Sequence, residues 1–117
     1  MAILKGVMNM PQLKIQGIEV NDICKISLGM VQEMQELLEC PKSYFTLECI
    51  NSIFIMDGGI VKPIPAIEVS WFDRGQEVQD NMATIITKHI QSIGHKDVDV
   101  IFRVLEENKY YENGKHF

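Results

Sequence analysis

Met10-Pro11-Gln12-Leu13-Lys14-Ile15 and Ile64-Pro65-Ala66-Ile67-Glu68-Val69 are two versions of one phrase. In each, an apolar residue and a proline open a run with the period-two alternation of a half-buried strand. A proline is tolerated at a strand mouth, where a missing N–H costs little. Each copy then leads to a helix. Asn21 or Asp22 caps the first one, whose apolar positions Ile23, Ile26, Met30, Met34, Leu37 and Leu38 recur at three- and four-residue intervals until Cys40-Pro41 ends it. Val78, Met82, Ile85, Ile86, His89, Ile90 and Ile93 form the second stripe, closed by Gly94.

Each helix returns to a strand. Tyr44 to Met56 is rich in β-prone residues, and Asp57-Gly58-Gly59 before Ile60-Val61 reads as a hairpin turn. Val98, Val100, Phe102 and Val104 form the last long strand, and Glu112-Asn113-Gly114-Lys115 turns the tail into a small hairpin or arm. The order is βαββαβ, an α+β domain built from two copies of one unit. Right-handed crossovers then put both helices on one face of a four-stranded sheet. The other face draws on Lys14, Gln16, Ile18, Thr46, Glu48, Ile50, Glu68, Ser70, Phe72, Ile101 and Arg103. Charges mixed with large apolar groups suit a surface that meets another subunit.

The 117 residues make one domain, and 46% hydrophobic with 23% charged residues excludes intrinsic disorder. Sixteen acidic against eleven basic residues leave a charge of -5, which repels phosphate backbones and argues against a nucleic-acid partner. Apolar runs such as Ile53 to Met56 fall far short of the roughly 18 to 20 residues that span a bilayer, so no membrane partner is expected. Cys24, Cys40 and Cys49 have neither zinc nor disulfide spacing and read as reduced, mostly buried thiols of a cytoplasmic protein. The N-terminus lacks the apolar segment of a signal peptide.

None of the common nucleotide, metalloprotease or serine-hydrolase motifs occurs. His89 lies on a core stripe, and His95 and His116 share no face with it, so neither a metal nor a cofactor is expected. Two features carry chemistry. If translation begins at Met10 and that methionine is removed, Pro11 becomes a secondary amine. An α-amine titrates near pH 8, and an apolar pocket lowers that value, which makes a general base at neutral pH. Lys5-Gly6-Val7 can be encoded AAA-GGA-GTG, a ribosome-binding purine tract, which makes residues 1–9 a leader and 10–117 the domain. The second feature is Trp71-Phe72-Asp73-Arg74-Gly75-Gln76-Glu77, where Arg74 stands between a strand end and a helix start. It either holds an anion there or pairs with Asp73, Glu77 or a neighbouring subunit.

These residues resemble the tautomerase superfamily, whose members include oxalocrotonate tautomerase and macrophage migration inhibitory factor. Within it they are most similar to a small uncharacterised bacterial family. The matching blocks are Met10-Pro11 before a hydrophobic strand, the doubled βαβ plan, Cys40-Pro41 to Ile50, Trp71 to Asp80, and Lys109 to Gly114. The resemblance implies a tautomerase-like (ferredoxin-like) fold, a homotrimer, and cofactor-free keto-enol tautomerase or isomerase activity on a small carbonyl acid. Pro11 and Arg74 take the catalytic roles. Lys14, Trp71, Tyr110, Tyr111 and Asn113 become substrate-binding candidates, with the tail lining a neighbour's pocket. A second arginine is missing where the oxalocrotonate enzymes carry one, which puts a dicarboxylate substrate in doubt. The alternative is a non-catalytic oligomer that binds a small ligand or partner on the same fold. An acylphosphatase-like enzyme ranks third, because the stretch from Gly17 to Asp22 has no arginine.

Overall fold

The structure, a computed structural model, describes residues 10–117; the leader assigned to residues 1–9 lies outside the described residues. The elements in chain order are β1 (Gln12–Gln16), α1 (Val20–Leu38), β2 (Thr46–Ile50), β3 (Phe54–Met56), β4 (Gly59–Val61), β5 (Ala66–Trp71), α2 (Gln76–Ser92), β6 (Asp99–Val104), β7 (Tyr111–Glu112) and β8 (Lys115–His116). The main sheet has the order β2-β1-β5-β6. β1 runs parallel to β2 and β5 parallel to β6, so each βαβ unit is unsplit, and the two units meet antiparallel along β1 and β5.

The repeat extends to the hydrogen bonds. The carbonyl of Pro11 accepts from the Thr46 N–H at 3.2 Å, and the carbonyl of Pro65 accepts from the Asp99 N–H at the same distance. Lys14 and Glu68, equivalent in the two copies, face each other across the central pair, so the local two-fold passes between them.

Alternation along β1 and β5 decides which side is core. Leu13, Ile15, Ile67, Val69 and Trp71 are buried, with Leu47, Cys49, Val100 and Phe102 packed beside them from the outer strands. The helices close this layer with Ile26, Met30 and Met34 from α1 and Met82, Ile86 and Ile90 from α2. The opposite side carries the rows Glu48-Lys14-Glu68-Ile101 and Thr46-Gln12-Ser70-Arg103. Arg103 Nε bonds Glu68 Oε1 at 2.7 Å, while Ile101 stays half exposed. Two residues assigned to this face from the sequence are covered within the chain. Ile18, past the turn at Gly17, packs against the core, and Phe72 is covered by the C-terminal arm.

Other expectations also need correction. α1 begins at Val20 with Glu19 as its cap residue, because the Glu19 carbonyl already accepts from the N–H groups of Asp22 and Ile23. Asp22 therefore sits inside the first turn, where a carboxylate suits the helix dipole, and Asn21 and Asp22 cap nothing. Cys24 is exposed, and only Cys40 and Cys49 are partly buried, which pushes both of those thiols up. The turn at Asp57-Gly58 has positive φ at both residues, as a two-residue hairpin loop requires. The β3–β4 hairpin contacts chiefly itself and leaves Ile55 and Ile60, which face each other across it, 71% and 79% exposed.

His89 is a core-edge residue, 17% exposed, and its Nε2 meets Glu33 Oε2 across the helix pair. Lys88 Nζ bonds the other oxygen of Glu33 at 2.6 Å. The hydrogen bonds from Lys88 and then His89 hold the Glu33 carboxyl below its ordinary value. A depressed carboxyl stabilises the fold at pH values above the ordinary 4.5 and loses that contribution as the pH falls through its folded value. Glu33→Gln is accordingly expected to lower the urea midpoint at pH 7, and the gap from the parent should close below pH 4.5. A gap constant across pH 7 to 3 would show that the carboxylate charge contributes nothing.

Candidate functional site

One edge of the sheet gathers most of the residues with chemical potential. β1 starts where β5 ends, and the chain leaves α1 at the same edge to reach β2. Pro11 stands at the mouth of β1 with its side chain fully buried, and Met10 before it is 1% exposed. Gln12 is opposite Ser70 and Leu13 opposite Val69, so the next step outward sets Pro11 opposite Trp71. Directly opposite residues of an antiparallel pair point to the same side of the sheet, with Cβ atoms about 4.5 to 5.5 Å apart. Trp71 is 1% exposed, its ring lies 5.0 Å from that of Phe102, and its carbonyl accepts from Leu105 N–H at 2.7 Å.

The loop after β5 carries Arg74. Asp73 does not pair with it: its carboxylate accepts the Gly75 N–H at 2.9 Å, which tightens the turn into α2. Arg74 Nη1 instead donates to the Leu38 carbonyl at 3.4 Å, at the C-terminus of α1, whose last turn has no basic residue of its own. A positive charge suits that end of the dipole. Burial raises the Cys40 thiol and the Arg74 charge nearby works against that rise. Among the described residues, one long hydrogen bond leaves the guanidinium fork, with five N–H donors, largely uncommitted.

The remaining candidates divide. Tyr110 stacks on Phe117 at 4.6 Å, and both meet Phe72 edge-on, so the C-terminal arm is anchored to its own chain beside the end of β5. The Phe117 N–H closes this contact by donating to the Tyr110 carbonyl at 3.1 Å. Tyr111 and Asn113 are exposed on the β7–β8 hairpin, Asn113 in its turn with φ 53°. Lys14 stands on the open face of the sheet between Glu48 and Glu68, the side away from Pro11. The structure thus brings Pro11, Trp71 and Arg74 to one edge, adds Tyr110 through the arm, and leaves Lys14, Tyr111 and Asn113 outside the group. The contacts of Phe72, Phe117 and Leu38 were not foreseen in the sequence, because nothing in spacing ties a terminal phenylalanine or a helix-end carbonyl to a distant loop. Among the described residues, no group of three or more His, Cys, Asp or Glu side chains converges.

The model of a family described as a domain of unknown function, DUF1904, matches residues 10–116. The chain belongs to this family. A DUF1904 crystal structure from Sebaldella termitidis ATCC 33386 is 36% identical, with a TM-score of 0.85 over 92% of this chain and 100% of that one. A fused 4-OT asymmetric trimer superposes at a TM-score of 0.74 with 13% identity, over 91% of this chain and 95% of that one. The macrophage migration inhibitory factor-like protein of Entamoeba histolytica reaches 0.70 with 18% identity, over 92% and 99%. None of the curated proteins matches. At these identities the last two likenesses establish fold alone, and the fold of this DUF1904 protein is that of the tautomerases. No described helix is long and apolar enough to cross a membrane.

Proposed function

We propose that this DUF1904 protein is a cytoplasmic, cofactor-independent keto-enol tautomerase of a small carbonyl acid, working as a homotrimer with Pro11 as its N-terminal base. The observation that carries the reading is the placement of Pro11: buried at the mouth of a central strand, with Trp71 opposite and Arg74 at the same edge. The family match opening at residue 10 supports a mature chain that begins at Met10-Pro11. With Met10 removed, the Pro11 nitrogen is a secondary amine in apolar surroundings that disfavour its protonated form. It takes the proton from the carbon next to a carbonyl; the C–H pair becomes the C=C bond of the enol and the C=O pair moves onto oxygen. Protonation of that oxygen by solvent completes the exchange, and the reverse sequence returns the proton to carbon. Arg74 binds the carboxylate of the substrate. The open sheet face and the β3–β4 hairpin supply the trimer interface, a role suited to their exposed isoleucines.

A second reading, a non-catalytic oligomer that binds a small ligand, is favoured by the peptide bond between Met10 and Pro11. As an amide, the proline nitrogen has no basicity. Enol-keto exchange of phenylpyruvate separates the two, measured on protein that begins at Pro11, on its Pro11→Ala form, and on the chain that keeps residues 1–9. The substitution and the extension are each expected to lower the rate by about 10²- to 10⁴-fold, the range of a lost general base. Equal rates in all three proteins would falsify the proline mechanism and leave the binding protein.

A further inference from the structure

The indole of Trp71 is a donor without an acceptor. Among the described residues, its Nε1 is the buried side-chain nitrogen or oxygen that has no hydrogen-bond partner. Buried polar groups are nearly always paired, so an orphan asks for a reason. Packing alone does not supply one, because a phenylalanine fills a core beside Phe102 without bringing an N–H into it. The rest of the residue is fully engaged: the ring packs on Phe102 and the carbonyl accepts from Leu105, so the indole is held in place. The paired register ends at Gln12 and Ser70, and one step beyond it on the two strands stand Pro11 and Trp71.

We propose that the Trp71 Nε1–H is the hydrogen-bond donor for the carbonyl oxygen of a ligand bound beside Pro11, in the space that Met10 gives up on removal. The inference rests on the reading of Pro11 as the reacting terminus and adds to it a group for the oxygen. Met10 is itself buried to 1%, so its loss opens room at the Pro11 nitrogen to which it is bonded. As the Pro11 nitrogen draws the proton from carbon, negative charge grows on the carbonyl oxygen. A fixed N–H in a site closed to water stabilises that charge without moving, and keeps its own proton throughout. Arg74 takes the carboxylate and Trp71 the oxygen that changes charge, so one arginine suffices.

Trp71 is the single tryptophan of the chain, so ¹⁵N-labelled protein beginning at Pro11 shows one indole N–H resonance. Titration with phenylpyruvate is expected to move that proton downfield to a plateau, and to do so equally in the Pro11→Ala form. In the chain that keeps residues 1–10 the resonance should stay put. Trp71→Phe is expected to lower kcat about 10²-fold or more with little change in KM, as loss of a transition-state donor does. Activity that depends on Pro11 while the indole resonance never moves overturns the role of Trp71 and leaves the proline reading intact. A moving resonance without activity does the reverse. A resonance unmoved in protein without activity overturns both, and so does one that moves only when Met10 is present. Because the resonance is read in protein that keeps its tryptophan, the test survives a Trp71→Phe variant that fails to fold.

Discussion

Gly17→Ala is expected to unfold much of the population under conditions where the parent is fully folded. Gly17 has φ +78°, and a Cβ built there meets the Ile64 carbonyl oxygen at 2.4 Å, the Ile64 carbonyl carbon at 2.6 Å and the Pro65 nitrogen at 2.9 Å. All three are backbone atoms of the segment that leads into β5, so no side chain can swing aside. The left-handed conformation alone costs about 1 to 2 kcal/mol for a residue with a Cβ, and overpacking adds about 1 to 3. A total near 4 kcal/mol is a large part of the roughly 5 to 15 kcal/mol by which domains are stable. Gly58→Ala is the control. Gly58 has the same φ of +78° with nothing within 4 Å of its Cβ, so it should lose only the conformational part. Equal losses in urea melts of the two variants would mean that the approach of Gly17 to Ile64 and Pro65 is not tight in solution.

Ile55→Lys combined with Ile60→Lys is expected to convert the proposed trimer into single chains in sedimentation equilibrium. The two side chains lie opposite one another on a hairpin that packs mainly on itself. An isolated two-stranded hairpin is marginal in water, so one this apolar needs a surface to lie against. Burying an isoleucine is worth about 1.5 to 3 kcal/mol, and each contact of a trimer repeats the gain. Two lysines both remove it and bring charges that resist desolvation. Lys62→Gln, an exposed change just beyond the hairpin, should leave the mass unaltered. A parent protein that sediments as one chain defeats the assembly and the interface together. A double variant that stays trimeric moves the contact elsewhere, to the open sheet face.

The fold was readable because its signals are local and repeated. Leu13 and Ile15 alternate as Ile67 and Val69 do, and the stripes through Met30 and Ile86 have helical spacing, so four strands and two helices followed. The start of α1 was misplaced because Asn21 and Asp22 are strong capping residues, whereas the turn at Gly17 brings the chain into helix before either of them. Arg74 stood out in the sequence, but its partner in the structure did not. A carbonyl at the end of α1 has no signature in sequence, while Asp73 and Glu77 are conspicuous acids close by. The run from Ile53 to Met56 read as strand leading into a hairpin and as too short for a bilayer, and its exposure appears only when the hairpin is seen to stand apart. Tyr110 followed the same rule: its attachment to Phe72 and Phe117 depends on where the tail returns in space.

The two prolines make matching backbone hydrogen bonds, yet the proposed function makes a chain end of only one of them. Pro65 lies in mid-chain, and Gly17 presses against its approach so closely that even a methyl group is excluded. The duplicated architecture therefore holds one mouth where the proposed function puts a chain end and a twin that is sealed by its own backbone. Under the proposed function, removal of Met10 would break the symmetry that folding creates and leave a single reactive site in a protein with two equivalent halves.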